Sequence, residues 1–71
     1  MKVDDIKRIC NGVLNGLLTP NNASRLMCST YVCSKGDSLS MEASEEVFYR
    51  LLNQRYVLSQ AIERLQLIWE K

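Results

Sequence analysis

Residues 41–69 read MEASEEVFYRLLNQRYVLSQAIERLQLIW and contain neither proline nor glycine. Apolar side chains recur there at alternating spacings of three and four residues, interrupted by Arg55, at Phe48, Leu51, Leu58, Ile62, Leu65 and Trp69. This heptad-like pattern is typical of a helix that packs against other helices along its whole length. It predicts one long helix over residues 41–69.

The residues before this segment predict a short helical hairpin. Over residues 3–18, apolar side chains recur with the helical period, at Val3, Ile6, Ile9, Cys10, Val13, Leu14 and Leu17. Thr19 is a good N-cap and Pro20 suits the first helical position, which predicts a second helix over residues 20–34. Two interpretations of Gly12 and Gly16 are open. Either Gly16 ends the first helix, or the two glycines line a close helix–helix contact.

These segments predict a single all-α domain over residues 1–71, a small helical bundle in which the N-terminal hairpin packs on the long C-terminal helix. Residues 30–43 leave one alternative. Thr30 to Cys33 are rich in β-branched and aromatic side chains, and apolar and polar residues alternate from Ser38 to Ala43. A small β-hairpin across Lys35-Gly36-Asp37 would explain both features.

The length of the third helix predicts a homodimer. Twenty-nine helical residues span roughly 43 Å, whereas a compact chain of this size has a diameter near 30 Å, by an order-of-magnitude estimate. The end of the helix would overhang its own domain with its apolar face uncovered. A second copy is the simplest cover, so we expect a dimer interface at Leu58, Ile62, Leu65 and Trp69.

The composition lacks the residues and motifs of the common catalytic sites. The 71 residues include no histidine, which removes the usual general acid–base residue and the commonest zinc ligand. Cys10 falls on the apolar stripe, whereas Cys28 lies off its stripe, where we expect an exposed thiol. No glycine-rich phosphate loop is present. We therefore expect no enzyme activity, no metal and no cofactor.

The cellular location follows from what the sequence lacks. No run approaches the about 18 apolar residues of a membrane-spanning helix, and Met1 to Asp5 do not resemble a secretory signal. The odd number of cysteines rules out a complete set of intrachain disulfides. We expect a cytoplasmic protein without a membrane contact.

The candidate binding site lies on the polar side of the third helix. Tyr49, Leu52 and Tyr56 follow one another at spacings of three and four residues, opposite the apolar stripe. Tyrosine is enriched in protein interfaces, so this ridge predicts a protein partner of unknown identity. The alternative is that the hairpin covers the ridge and makes it part of the core.

The sequence thus favours a non-enzymatic helical interaction module, a small adaptor or phage-type inhibitor that regulates its partner by surface binding. The alternative is a small helix-turn-helix DNA-binding regulator, because the first two helices have suitable lengths. The net charge of +1 speaks against nucleic acid. Arg25 and Lys35 are the only basic residues on or just after the second helix.

Overall fold

The computed structural model describes residues 3–30 and 38–69, and these residues contain four α-helices and no strand. The helices are α1 (Val3–Leu14), α2 (Pro20–Thr30), α3 (Ser38–Leu52) and α4 (Leu58–Trp69). The predicted all-α class is therefore confirmed. The second strand of the alternative β-hairpin is wrong, because residues 38–43 belong to α3. The predicted end of the second helix at residue 34 lies outside the described residues.

The boundary between α1 and α2 follows its sequence signals. Gly16, at a φ of 76°, adopts the left-handed conformation that ends α1. The amide of Leu17 donates to the carbonyl of Gly12 at 2.8 Å, and that of Gly16 to Val13 at 3.1 Å, which is the Schellman pattern of a helix C-terminus. The Thr19 hydroxyl then accepts from the amide of Asn22 at 3.1 Å and caps α2. Gly16 is therefore a cap, and α1 ends before the predicted residue 18.

The single long helix over residues 41–69 is wrong. The chain leaves the helix at Leu52, turns, and begins α4 at Leu58. Gln54 has a φ of 62° and takes the role that Gly16 takes in α1. Its amide donates to the carbonyl of Leu51 at 3.1 Å, and that of Arg55 to Arg50 at 2.7 Å. This turn lets α4 fold back onto the rest of the domain, which is only 31 Å long.

Burial explains why the chain turns back at this point. α4 contributes Ala61 and Leu65 to the core, and both are fully covered within one chain. A continuous helix would carry them away from Phe48, the largest fully buried side chain among residues 3–30 and 38–69. One buried cluster joins all four helices and consists of Ile6, Ile9, Cys10, Val13, Ala23, Met27, Val47, Phe48, Leu51, Ala61 and Leu65.

Polar contacts fix the neighbours of α3. The indole Nε1 of Trp69 donates to the hydroxyl oxygen of Ser44 at 2.7 Å, which attaches the last residue of α4 to α3. The Ser44 hydroxyl in turn donates to the carbonyl of Ser40 at 2.8 Å. On the other side, the side-chain Nδ2 of Asn21 donates to the carboxylate Oε2 of Glu45 at 2.9 Å and links the start of α2 to α3. A buried hydroxyl such as that of Ser44 needs these partners.

The Gln54 turn supplies a first prediction. A side chain in the left-handed region costs about 1 kcal/mol relative to glycine, so Gln54→Gly should raise the free energy of unfolding by about that amount. Urea denaturation measures it as a higher transition midpoint. Asn53→Gly is the matched control, because Asn53 does not have a positive φ. Asn53→Gly should lower the free energy of unfolding. A similar decrease for Gln54→Gly would contradict the left-handed conformation of Gln54 in this turn.

Candidate functional site

The predicted ridge of Tyr49, Leu52 and Tyr56 is divided by the end of α3. Tyr49 and Leu52 are neighbours one turn apart on the solvent side of α3, and their exposed fractions are 49% and 44%. Tyr56 lies beyond the helix, in the turn before α4, where it is partly buried and packs against the core. The alternative of an exposed ridge therefore describes Tyr49 and Leu52, and the alternative of a covered ridge describes Tyr56.

Tyr56 is the centre of a cationic cluster. The guanidinium carbons of Arg50 and Arg64 lie 5.7 Å and 5.9 Å from the centre of its ring. Arg50 also donates to the Tyr56 hydroxyl at 3.3 Å and to Glu46 at 2.6 Å. The hydrogen bond to Tyr56 and the charge of Glu46 raise the pKa of Arg50 above its ordinary value. The turn thus positions one tyrosine between arginines from two helices.

Two shallow depressions lie on either side of Arg50. The first, of about 470 Å³, is acidic on its α3 side and is lined by Glu42, Glu45, Glu46, Tyr49, Arg50, Asn53 and Arg55. The second, of about 290 Å³, has an apolar wall and is lined by Ala43, Glu46, Val47, Arg50, Tyr56, Arg64, Leu67 and Ile68. Leu67 is 68% exposed at its edge. We call the face formed by Tyr49, Arg50, Tyr56, Arg64 and Leu67 the α3–α4 surface, and Leu52 lies next to Tyr49 on the side of α3 away from Arg50.

The four residues predicted for a dimer interface serve the fold of a single chain. Leu65 is fully buried, and Leu58, Ile62 and Trp69 are partly buried against the core. The overhanging helix that suggested this interface does not exist, because α4 folds back. The homodimer itself stays a prediction. The apolar side chains of α4 no longer argue for it, because they pack within one chain.

A groove between α1 and α2 is a feature that the sequence reasoning missed. It has a volume of about 530 Å³, with an apolar lining of Ile9, Leu17, Leu18 and Leu26 and with Asp5 and Arg8 at its rim. A Cβ atom on Gly12 would lie 2.8 Å from Cδ1 of Leu18, so glycine lets Leu18 lie close against α1. We call this feature the α1–α2 groove.

The groove escaped detection because the first helix ends earlier than its apolar stripe. The stripe over residues 3–18 placed Leu17 in the core, whereas α1 ends at Leu14 and Leu17 is 80% exposed. Leu26 of α2 is also 41% exposed and lines the groove. The signal that was available is Gly16, because a helix that ends there cannot keep Leu17 on its stripe.

The two described cysteines differ in their chemistry. Cys10 is buried in the core, and burial raises the pKa of its thiol from 9.0 to about 12. Cys28 is disulfide-bonded, so the expected exposed thiol is wrong. Over residues 3–30 and 38–69, no three cysteine or carboxylate side chains gather as ligands for a metal ion.

Comparison with known proteins identifies no relative of this chain. No protein-family model, no curated protein and no solved structure matches the chain. Among the described helices, none combines the length and the hydropathy needed to cross a bilayer. Any function must therefore be argued from the surfaces themselves.

Proposed function

We propose that this chain is a non-enzymatic helical interaction module that regulates or inhibits a macromolecular protein partner through its α3–α4 surface. The observation that carries the proposal is the exposure of Tyr49 and Leu67 beside the Arg50–Tyr56–Arg64 cluster, with Leu52 exposed next to Tyr49. Tyrosine and arginine are, with tryptophan, the side chains enriched in the energetically important parts of protein interfaces. A cluster that is already ordered also loses less side-chain entropy on binding.

The charges on this surface favour a protein over nucleic acid. Glu42, Glu45 and Glu46 lie along the same face of α3 and would repel a phosphate backbone. Arg50 is already paired with Glu46. The rival helix-turn-helix interpretation has little support from α2, where Arg25 is the only basic residue between Pro20 and Thr30. Phosphate neutralisation normally needs several basic side chains.

The test is affinity capture of the partner from a nuclease-treated lysate, followed by binding measurements with variants of the full chain. Tyr49→Ala combined with Leu52→Ala should weaken binding by roughly thirtyfold or more, the effect of losing a hot spot. Helix content should not change, because both side chains are about half-exposed. Leu39→Ala is the control, since Leu39 is 75% exposed on the same helix but about 16 Å along it from Arg50.

Two results would contradict the proposal. Equal binding by the double variant and the Leu39→Ala control would remove the α3–α4 surface from the contact. Loss of all capture after nuclease treatment, together with duplex binding that weakens steeply with salt, would support the DNA-binding alternative. A cytoplasmic location stays a prediction, and the disulfide at Cys28 weighs against it, because such bonds are rare in reducing compartments.

A further inference from the structure

We infer that the α1–α2 groove is a self-association face, through which two copies of this chain form a two-fold dimer. This inference concerns a different surface from the one in the proposed function. A two-fold interface presents the same patch twice, so the patch must be complementary to itself. The groove meets this condition in shape and in charge.

The shape is self-complementary because one patch holds both a projection and a hollow. Leu17 is 80% exposed and forms one wall of the groove of about 530 Å³, whose other apolar lining is Ile9, Leu18 and Leu26. In a two-fold arrangement, Leu17 of each copy can enter the groove of the other. Burying such a leucine removes apolar surface from water and stabilises the complex.

The charges at the rim are also self-complementary. Asp5 and Arg8 stand one turn apart on α1, and neither side chain makes a hydrogen bond or an ion pair with any of the described residues. A two-fold operation can bring Asp5 of one copy opposite Arg8 of the partner subunit, and it repeats that pair on the other side. A partner segment of one charge sign would meet repulsion at one of the two positions. The mixed rim therefore fits a second copy.

The size of the groove determines how tightly we expect the two copies to bind each other. A stable interface buries about 800 Å² on each partner, which is about one sixth of the 4760 Å² surface of this chain. The twelve residues of α1 span only about 18 Å. The contact is thus short, and we expect a dimer that dissociates at roughly micromolar concentrations, as weak interfaces do.

Analytical ultracentrifugation of the full chain over roughly 1 to 300 micromolar tests the inference, a range chosen for a weak interface. The wild type should pass from monomer to dimer, and Leu17→Glu should raise the dissociation constant about tenfold or more. Leu39→Glu is the matched control, because Leu39 is 75% exposed but lies on α3, away from the groove. Its dimer should persist. Circular dichroism should show that both variants keep the wild-type helix content.

Charge reversal gives a second and independent readout. Asp5→Arg and Arg8→Asp should each weaken self-association, because like charges then face each other twice. A mixture of the two single variants should form a heterodimer, since every facing pair is then of opposite sign. A wild type that stays monomeric over the whole range, or a dimer that Leu17→Glu leaves intact, would overturn the inference. So would a mixture that associates no better than its components.

Discussion

Leu65→Asp should unfold the protein, whereas Leu67→Asp should leave it folded. The two leucines lie two residues apart on α4, but Leu65 is 0% exposed and Leu67 is 68% exposed. An aspartate at position 65 would lose the packing of a core leucine and would bury a charge without a partner. Together these effects cost several kcal/mol. A folded domain of this size has only about 4 to 10 kcal/mol in total.

Far-UV circular dichroism and thermal denaturation measure both variants. Leu67→Asp is the matched control, because it introduces the same charge into the same helix at an exposed position. Its free energy of unfolding should stay within about 0.5 kcal/mol of the wild type, as for other surface substitutions. If Leu65→Asp melted at the wild-type temperature, α4 would not pack against α1 and α3 in the way described here.

The helix boundaries show which local signals the sequence carries and which it lacks. Thr19 is favoured at an N-cap, Pro20 is favoured at the first helical position, and Gly16 accepts the left-handed conformation that ends a helix, so the α1–α2 connection was predictable. The α3–α4 turn has no such marker. Gln54 occupies a left-handed position that favours glycine, and the residue before α4 is Val57, which cannot cap a helix with a side-chain oxygen.

Tertiary packing therefore decides the fold at this turn, against the local preferences. The heptad-like pattern of residues 41–69 is real, but its two halves face the same core from opposite directions. Phe48 and Leu51 reach the core from α3, and Ala61 and Leu65 reach it from α4. A periodic pattern records which residues are buried and not whether the helix is continuous. No property of the sequence alone distinguished the bent arrangement from the straight one.

The candidate site depended on the same turn. The sequence left open whether Tyr49 and Leu52 are exposed or covered, and the structure leaves both about half-exposed on α3. Tyr56 could not be placed in this way, since its position on the ridge assumed that the helix continued past Leu52. The partnership of Tyr56 with Arg50 and Arg64 joins residues from both sides of the turn. This contact could be identified only from the three-dimensional structure.

The stability of the protein should fall at alkaline pH because of Cys10. This thiol is fully buried, and desolvation raises its pKa from 9.0 to about 12. Between these values the unfolded chain releases the proton of Cys10 whereas the folded chain keeps it. Raising the pH then favours the unfolded state. The contribution of the buried thiol is complete below pH 9, and it is lost at about 1.4 kcal/mol for each pH unit above that value.

A comparison with Cys10→Ala isolates this effect from the tyrosines and lysines that titrate in the same range. Both proteins contain those groups, so the difference between their unfolding free energies reports Cys10 alone. At about pH 8 the variant should be less stable by roughly 1 kcal/mol, because it leaves a small cavity in the core. By about pH 11 the order should reverse, since the wild type alone carries the ionisation penalty. A difference that stayed constant from pH 8 to about 11 would mean that water reaches the thiol in the folded protein, and that the α1 face of the core is looser than its burial indicates.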